Sequence, residues 1–300
     1  MRIGIDVGGT KIEGIAIAAD GRPAARRRVA APRNDYGATV HAVADLVHAL
    51  EAETGQHGSV GVGIPGTPAP GTGLVKNANS TWLNGRPIVA DLEVSLVRPV
   101  RVANDANCFA LSESADGAGA GADVVFGVIL GTGTGGGIVV RGQVLGGPNG
   151  IAGEWGHNPL PWPRGDERPG PPCYCGLSGC IESFLSGPAL GRDYGDAVSA
   201  EEVVRRAAGG DTRASGVLDR YEERLGRALA SVINLLDPDV IVLGGGLSNI
   251  DRLYEGVPRL WGTHVFSAGA AGAPVRTRLA RATHGDSSGV RGAAWLWPVR

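Results

Sequence analysis

Two stretches with the same pattern decide the fold of this chain: IGIDVGGTKIEGIAI at residues 3–17 and FGVILGTGTGGGIVV at residues 126–140. Each reads as an apolar strand, a glycine-rich turn and a second strand, because β-branched residues lie on both sides of the glycines. The repetition suggests two similar halves, each with one glycine turn. Around these hairpins, apolar strands alternate with segments of helical periodicity, which indicates an α/β protein with a mixed or parallel sheet.

The remaining elements are predicted from the spacing of apolar residues. Strands are expected at 2–7, 12–18, 59–64, 100–103, 124–130 and 240–243, and helices at 36–53, 105–117, 214–236 and 288–297. The proline-rich segment 159–172 is expected to be a loop. GAGAG at 117–121 marks a predicted boundary between a small N-terminal α/β domain, 1–118, completed by a C-terminal helix at 287–300, and a large α/β domain, 119–286.

Composition excludes several classes of protein. The 300 residues carry 28 basic and 30 acidic side chains, a net charge of −2, which leaves no field that would attract nucleic acid or an anionic membrane. No apolar run approaches the ~20 residues of a membrane span. The N-terminus carries Asp6, Lys11 and Glu13 in its apolar stretch and does not resemble a signal peptide. A cytoplasmic globular protein is expected.

The glycine turns allow more than one interpretation. GTGTGGG at 131–137 matches the dinucleotide-binding pattern, but the β-branched run 138–140 follows where that motif requires a helix. Bare glycine backbone permits positive φ and lets N–H groups approach phosphate. Tight hairpins alone would also explain the glycines. A third cluster, at 244–246 after a predicted strand, favours a nucleotide cradle.

Two acidic residues follow predicted strands. Asp105, after Asn104, either caps the following helix or faces a cleft as a base for a hydroxyl proton, and its position favours neither. Asp6, beside the first glycine turn, is either a turn former or a magnesium-associated acid.

The cysteines indicate a metal site. Three of the four cysteines, Cys173, Cys175 and Cys180, lie within eight residues, and His157 precedes them. Three cysteines and one histidine form a tetrahedral zinc set, with no open position for catalysis. The predicted zinc is therefore structural, and it would fasten the turn that carries Glu154. Cys108, on a predicted helix, is expected to lie in the core.

GDSSG at 285–289 matches the nucleophile pattern of serine hydrolases. In that fold the acid and the histidine follow the serine. No Asp, Glu or His follows Ser287, so the pattern does not indicate a hydrolase.

Together these motifs resemble the ROK family of sugar kinases, within the actin-like and hexokinase-like ATPase superfamily. The motifs that carry the resemblance, in the family's order, are DVGGTK at 6–11, Asn104-Asp105, GTGTGGG at 131–137, EWGH at 154–157, CYCGLSGCIE at 173–182 and LGGG at 243–246. The resemblance covers essentially the whole chain. It implies a two-domain actin-like, hexokinase-like (ribonuclease H-like) α/β fold with a cleft between the domains.

The resemblance also implies a role for each motif. Asp105 would be the catalytic base that takes the proton from the 6-hydroxyl of the sugar. The residues implied to bind the other hydroxyls are Asn104, Glu154, His157 and Glu182, with His157 also on zinc. Those implied to hold the ATP phosphates are Gly8, Gly9, Thr10, Lys11, Gly131, Thr132, Gly133 and Thr134. Asp6 would act through magnesium, and the residues implied to lie against adenosine are Gly244, Gly245 and Gly246.

Within the family, the stretches 75–85, 152–162 and 285–298 most resemble bacterial fructokinases, also called manno(fructo)kinases. The expected reaction is ATP-dependent phosphorylation of the 6-hydroxyl of a hexose, first D-fructose to fructose 6-phosphate and then mannose. A glucokinase, an N-acetylhexosamine kinase and a non-catalytic sugar sensor are the alternatives. The implied cofactors are Mg²⁺ with ATP and structural Zn²⁺. The implied assembly is a homodimer, with neither nucleic acid nor membrane as partner.

Overall fold

The computed structural model describes residues 1–195, 198–266 and 273–297. The chain packs into two compact units. The first consists of Met1–Ala120, Gly137–Ala152 and the residues from Thr283 onward, and the second of Gly121–Gly136 and Gly153–Ala282. The predicted domains, 1–118 with the C-terminal helix and 119–286, stay a prediction, because packing into units does not test which segments form independent domains.

The strands in chain order are β1 (Arg2–Val7), β2 (Lys11–Ile17), β3 (Pro23–Ala30), β4 (Ser59–Ile64), β5 (Thr67–Pro68), β6 (Val75–Lys76), β7 (Val100–Asn104), β8 (Val124–Leu130), β9 (Thr134–Val140), β10 (Gln143–Val144), β11 (Val240–Gly244) and β12 (Arg278–Arg281). The helices are α1 (Tyr36–Thr54), α2 (Ile88–Leu96), α3 (Asp105–Asp116), α4 (Glu182–Leu185), α5 (Gly187–Tyr194), α6 (Ala200–Ala208), α7 (Thr212–Leu236), α8 (Leu253–Trp261) and α9 (Ser288–Trp295). Within the described residues, no helix is long and apolar enough to span a membrane.

The first sheet has the order β3-β2-β1-β4-β7. β1 is antiparallel to β2 and parallel to β4, which is parallel to β7. Ile3, Ile5 and Val62 are fully buried, as expected for strands that read as nearly continuous apolar runs. Because the carboxyl ends of parallel strands meet at one edge of a sheet, Asp6 on β1 and Asn104 on β7 come to the same edge.

The second sheet has the order β10-β9-β8-β11-β12. β8 is parallel to β11, β11 is parallel to β12, and β9 is antiparallel to β10. The sequence of strands across this sheet repeats that of the first sheet. The similarity between the two hairpins in the sequence therefore extends to two whole sheets.

Helix α9 packs on the first sheet by backbone contact. A β-carbon built on Gly4 of β1 would lie 2.0 Å from the carbonyl oxygen of Val290, and one on Gly61 of β4 would lie 1.9 Å from that of Ala293. Real β-carbons do not approach so closely, so glycine is required at both strand positions. Part of the high glycine content thus serves the contact between a helix and a sheet.

The predicted elements are present with small shifts in their ends, but several elements were not predicted. The clearest is β3 (PAARRRVA), an edge strand with mostly exposed residues. Arg26 and Arg28 on β3 pair with the buried carboxylate of Glu13 on β2. Charge pairing across strands thus takes the place of the apolar alternation that marks a strand in a sequence. The unpredicted helices are α2, α4, α5, α6 and α8.

Candidate active site and metal centre

The first part of the candidate site lies at the edge of the first sheet, around Asp6. Asp6 pairs in register with Gly63 of β4. A β-carbon on Gly63 would lie 3.5 Å from Oδ1 of Asp6, and one on Gly289 in α9 would lie 3.5 Å from its Cγ. The carboxylate of Asp6 therefore lies beside two residues that have no side chain.

The electrostatics of this edge is dominated by carboxylates. Burial, followed by the charges of Asp105 and Glu13, raises the pKa of Asp6 to about 7, and Lys11 opposes this shift. A carboxylate whose pKa is raised by the charge of another carboxylate belongs to a site that a bound cation would stabilise. Asp6 and Asp105, both predicted from the sequence, are thus electrostatically coupled within the first unit.

Asn104 and Asp105 share the start of α3. Oδ1 of Asn104 accepts a hydrogen bond from the N–H of Ala106 at 2.9 Å, and its Nδ2 donates to the carbonyl of Gly66 at 3.3 Å. Asp105 is the first helical residue, and its Oδ1 accepts from the same N–H of Ala106 at 2.8 Å. The capping residue is Asn104, so the interpretation of Asp105 as the cap is wrong. Its role as a base stays a prediction.

The first glycine turn closes on itself. The N–H of Gly8 donates to the carbonyl of Lys11 at 2.9 Å. Positive φ does not explain the glycines, since neither Gly8 nor Gly9 has it. Limited space explains Gly8, because a β-carbon there would lie 3.0 Å from that carbonyl oxygen, whereas a β-carbon on Gly9 would make only an ordinary contact. Gly9 and Thr10 are exposed, so the tip of the turn is accessible to a ligand.

The second glycine turn is held from outside. Glu182, the first residue of α4, accepts a hydrogen bond from the N–H of Thr134 at 2.8 Å. The N–H of Gly187 donates to the carbonyl of Gly131 at 2.7 Å. A β-carbon on Gly133 would lie 2.6 Å from Oε2 of Glu182, so a side chain there would displace this carboxylate from the turn. Glu182, predicted as a sugar ligand, thus also supports this turn.

Two of the three glycine clusters border one cavity in the second unit. Gly245 has a φ of +79°, and a β-carbon there would lie 2.4 Å from the carbonyl oxygen of Leu130, so the third cluster packs against the end of β8. The cavity has a volume of about 380 Å³, within the range of small-molecule sites. Its lining consists of Gly131, Thr132, Gly187, Pro188, Val198, Ser199, Ala200, Glu201, Gly246 and Leu247.

These residues fit a nucleotide. β-Carbons on Gly131 and Gly246 would meet no atom within 4 Å, so the bare backbone faces open space that a ligand can fill. Oγ1 of Thr134, next to the turn, is buried and has no hydrogen-bond partner among the residues that the structure describes. Gly8 to Lys11, the other predicted phosphate-binding residues, belong to the first unit.

The four predicted zinc ligands come together in the second unit. The ligand atoms of His157, Cys173, Cys175 and Cys180 lie within 4.8 Å of one another. Sγ of Cys173 is 3.5 Å from Nδ1 of His157, and Sγ of Cys175 is 3.6 Å from Sγ of Cys180. Tetrahedral zinc with bonds of about 2.0–2.3 Å needs similar spacings. The four side chains therefore fit one zinc ion.

Tyr174, between two of these cysteines, contacts the histidine. Its hydroxyl lies 3.0 Å from Nε2 of His157, and the two rings meet edge to face at 5.1 Å. A hydrogen bond to the second nitrogen of a metal-binding histidine fixes its tautomer. Tyr174 itself is largely exposed, so this contact lies at the surface of the cluster.

The EWGH motif connects the metal cluster to the second glycine turn. A β-carbon on Gly156 would lie 2.1 Å from the carbonyl oxygen of Thr134, so glycine is required. Nε1 of Trp155 donates to the carbonyl of Gly135 at 3.2 Å. Glu154 immediately precedes the short 3-10 turn Trp155–His157. The predicted sugar ligands Glu154 and His157 are thus held against the turn.

Sequence reasoning missed several residues of this region. Pro188, Ser199 and Glu201 line the cavity, and Tyr174 contacts His157. Tyr174 had a signal, because it lies between two predicted ligands. The cavity residues had none, since helices bring them there over distances that no local pattern records.

Comparison with known proteins gives a consistent result. The sequence profile of the ROK family matches residues 2–300. An N-acetyl-D-glucosamine kinase from Vibrio cholerae serotype O1 is 42% identical over 99% of this chain and 99% of its own length. Another from Pectobacterium atrosepticum is 41% identical over 99% of this chain and 98% of its own. The names of these two relatives do not support the prediction that, within the family, the chain most resembles fructokinases.

Solved structures agree with the profile. The ROK hexokinase from Thermus thermophilus has a TM-score of 0.86 and 33% identity, covering 98% of this chain and 97% of that one. A ROK family glucokinase from Streptomyces griseus, in complex with glucose and AMPPNP, has a TM-score of 0.78 and 28% identity, covering 98% of both chains. The predicted hexokinase-like α/β fold is confirmed. With its motifs, its fold and a profile match along almost its whole length, the chain belongs to the ROK family.

Proposed function

We propose that this chain transfers the γ-phosphoryl group of ATP to the 6-hydroxyl of a hexose. The observation that carries the proposal is the pair of coupled carboxylates at one edge of the first sheet, where the charge of Asp105 helps to raise the pKa of Asp6 to about 7. Phosphoryl transfer to an alcohol needs a base for the hydroxyl and a cation at the phosphates. Two adjacent carboxylates supply the base and a site for the cation.

Asp105 acts as the base. Its carboxylate takes the proton of the 6-hydroxyl as the sugar oxygen forms a bond to the γ-phosphorus, while the bond from that phosphorus to the bridging oxygen of the β-phosphate breaks and ADP leaves. Its place as the first residue of α3, after the capping Asn104, fixes its backbone on a regular element. A reacting group on a helix or strand is held more precisely than one on a loop.

The sugar is recognised through its hydroxyls. A neutral hexose offers hydroxyl donors and acceptors, which amide, carboxylate and imidazole groups match without a charge to neutralise. The proposed ligands are Asn104, Glu154, His157 and Glu182. Support for Glu182 comes from the hydrogen bond that fixes one of its carboxylate oxygens to the N–H of Thr134 and leaves the other oxygen for a ligand.

The nucleotide is held by glycine-rich backbone. Gly131 to Thr134 and Gly8 to Lys11 are proposed to bind the phosphates, and the cluster 244–246 to lie against the adenosine. The cavity of about 380 Å³ beside Gly131 and Gly246 supports this assignment. Asp6 would hold Mg²⁺, which neutralises phosphate charge when it is bound.

The metal cluster has a structural role in this proposal. His157, Cys173, Cys175 and Cys180 would hold Zn²⁺ with all four positions filled by protein, which leaves none for substrate. Zinc would fix the loop that carries Tyr174 and, through His157, the turn after Glu154.

N-Acetyl-D-glucosamine is the first proposed substrate. It is the sugar in the names of curated relatives that match 99% of this chain at 41–42% identity. D-Fructose is the second candidate, because the stretches 75–85, 152–162 and 285–298 resemble fructokinases.

A coupled ADP-release assay with Mg-ATP tests the proposal against N-acetyl-D-glucosamine, fructose, mannose and glucose. Asp105→Asn is expected to lower kcat by about 10²–10⁴-fold, because general-base catalysis contributes that much. Asp35→Asn is the matched control, since Asp35 caps α1 in the same unit and accepts the N–H of Ala38 at 2.9 Å. Because asparagine caps a helix about as well as aspartate, this variant should change stability little and leave kcat unchanged.

The outcomes separate the parts of the proposal. Dominant turnover of N-acetyl-D-glucosamine supports the substrate, whereas dominant turnover of fructose replaces it and keeps the reaction. Near-normal turnover in Asp105→Asn removes Asp105 from the role of base. If folded, zinc-loaded protein releases no ADP with any of the four sugars, the proposed kinase activity is wrong.

A further inference from the structure

A carboxylate that the proposed reaction does not use is buried in the first unit. Glu113 on α3 is 0% exposed. Its Oε1 accepts hydrogen bonds from the hydroxyl of Ser288 at 2.8 Å and the N–H of His284 at 3.2 Å. Its Oε2 accepts from the N–H groups of Thr283 at 2.9 Å and Ala118 at 3.0 Å. Three of these four neutral donors belong to the segment that leads into α9.

Both helices joined by these bonds reach the candidate site. Helix α3 begins at Asp105. Helix α9 begins one residue before Gly289, whose β-carbon would lie 3.5 Å from Cγ of Asp6. The helices cross in backbone contact, because a β-carbon on Gly292 would lie 1.6 Å from the carbonyl oxygen of Cys108. The start of α9 thus lies beside one coupled carboxylate and α3 carries the other.

A second acidic side chain strengthens the same connection. Asp116, at the end of α3, lies 2.8 Å from Nε2 of His284 and pairs with the guanidinium of Arg291. It binds the segment before α9 and the helix itself from outside, whereas Glu113 binds the segment from within the core. The GDSSG motif at 285–289 is therefore the turn that Glu113 anchors through Ser288.

We propose that Glu113 is a positioning residue for the phosphoryl transfer proposed above, on which this inference rests. Its hydrogen bonds hold the 283–288 segment on α3 and so keep the start of α9 in contact with Asp6. This contact fixes the carboxylate of Asp6 relative to Asp105. A buried carboxylate with four donors holds one geometry, since each bond shares the same two oxygens. A misplacement of about 1 Å far from the reacting atoms can cost on the order of 10²-fold in rate.

Glu113→Gln tests the proposal, because an amide keeps the shape and places an –NH₂ group against donors. The expected result is a fall in kcat of roughly 10- to 100-fold, with the hexose Kd from calorimetry within about twofold of wild type. The second readout is the Tm measured in the presence of ADP as Mg²⁺ is added. The Mg²⁺ concentration at which half of the Tm increase is reached, the Mg²⁺ midpoint, should rise several-fold. This second readout requires no turnover.

Glu51→Gln is the matched control. Glu51 is a buried carboxylate of the same unit and bonds to Arg98 and to the N–H of Gly58. Its loss should lower Tm and leave kcat and the Mg²⁺ midpoint unchanged. If Glu113→Gln, at a temperature where it is folded, keeps both values within about twofold of wild type, Glu113 is merely structural and the proposal is overturned.

Ser288 provides a second test if Glu113→Gln does not fold. Ser288→Ala removes one of the four donors, and Ser288→Thr keeps the hydroxyl. A several-fold loss of kcat and a raised Mg²⁺ midpoint in the alanine variant, recovered in the threonine variant, support positioning. Equal values in all three proteins overturn it. If wild type phosphorylates no hexose, the proposed function fails, and the Mg·ADP midpoints still decide the role of Glu113.

Discussion

The two glycine hairpins occupy equivalent places in two sheets of the same strand order, yet they are supported in different ways. Both turns close through a backbone hydrogen bond of their own. The turn after β1 is also held by Ala31 and Arg33, which directly follow β3, and its tip is exposed. The turn after β8 is also held by more distant segments, because Glu182 binds Thr134 and Gly156 packs against its carbonyl oxygen. A shared topology therefore does not imply shared stabilisation. The second hairpin should be much more sensitive to changes outside itself.

Loss of the metal cluster should have the largest effect, because His157 belongs both to the cluster and to the EWGH motif, which packs beside the second hairpin. We expect Cys180→Ser to lower Tm by about 10 °C or more, since structural zinc contributes directly to folding free energy. Calorimetry with metal analysis measures both quantities. Cys108→Ala, which changes a core cysteine, should keep one zinc per chain. A zinc-free, chelated protein with the Tm of wild type would contradict a structural metal.

Gly156→Ala should have the next largest effect. Its β-carbon would meet the carbonyl oxygen of Thr134 at 2.1 Å, and backbone cannot move away cheaply, so we expect a loss of about 3 kcal/mol. Gly131→Ala, in the second hairpin itself, is the control, because its β-carbon would meet no atom of the described residues within 4 Å. Urea unfolding measures both. Equal losses in the two variants would show that close packing does not support the second turn.

The first unit should instead lose stability at an ion pair remote from its turn. Arg98 binds both oxygens of Glu51 at 2.6 and 2.8 Å and lowers the pKa of Glu51 to about 2. We expect Glu51→Gln to cost about 2 kcal/mol at pH 7.

This stabilisation has a defined pH dependence. A lowered pKa stabilises the fold above the ordinary pKa of a glutamate, near 4.5, and the benefit is lost as pH falls toward about 2. The difference between wild type and Glu51→Gln should therefore shrink over that range. Glu53 lies on the same helix as Glu51, and Glu53→Gln, which breaks its exposed pair with Arg27 of β3, should cost little. If the difference in unfolding free energy between wild type and Glu51→Gln does not change with pH, the ion pair is not its source.

Gly9→Ala should change stability least, within about 0.5 kcal/mol. The residue is exposed, and its β-carbon would be 3.6 Å from Oγ of Ser80, an ordinary contact. The KM for ATP should nevertheless rise, because a methyl group keeps phosphate away from the backbone. A stable variant with an unchanged KM would show that the first turn does not approach the nucleotide.

The parts of the molecule that were predicted from sequence are local. Both hairpins follow from β-branched residues around glycine, and the metal cluster follows from three cysteines within eight residues. The positions of Asp6 and Asn104 at one sheet edge follow from parallel pairing. The roles of the site residues stay predictions.

The remaining features depend on contacts between distant segments. The bonds of Glu113 join residues about 170 apart in the chain, and the sequence around Glu113 reads as an ordinary helix. β3 forms because its arginines pair with Glu13 on the neighbouring strand, whereas taken alone PAARRRVA predicts exposed coil. The cavity beside Gly131 takes its other walls from α5, α6 and the turn after β11.

The backbone contact of α9 with Gly4 and Gly61 has a consequence for the order of synthesis. The strands of the first sheet lie within the first 104 residues, but the helix that packs on them starts at residue 288. While the ribosome makes the intervening residues, that apolar face has no cover from its own helix. Proteins with such long-range closure fold slowly and expose aggregation-prone surface before they are complete. Helix α9, which is translated after all of the described second unit, therefore completes the first unit.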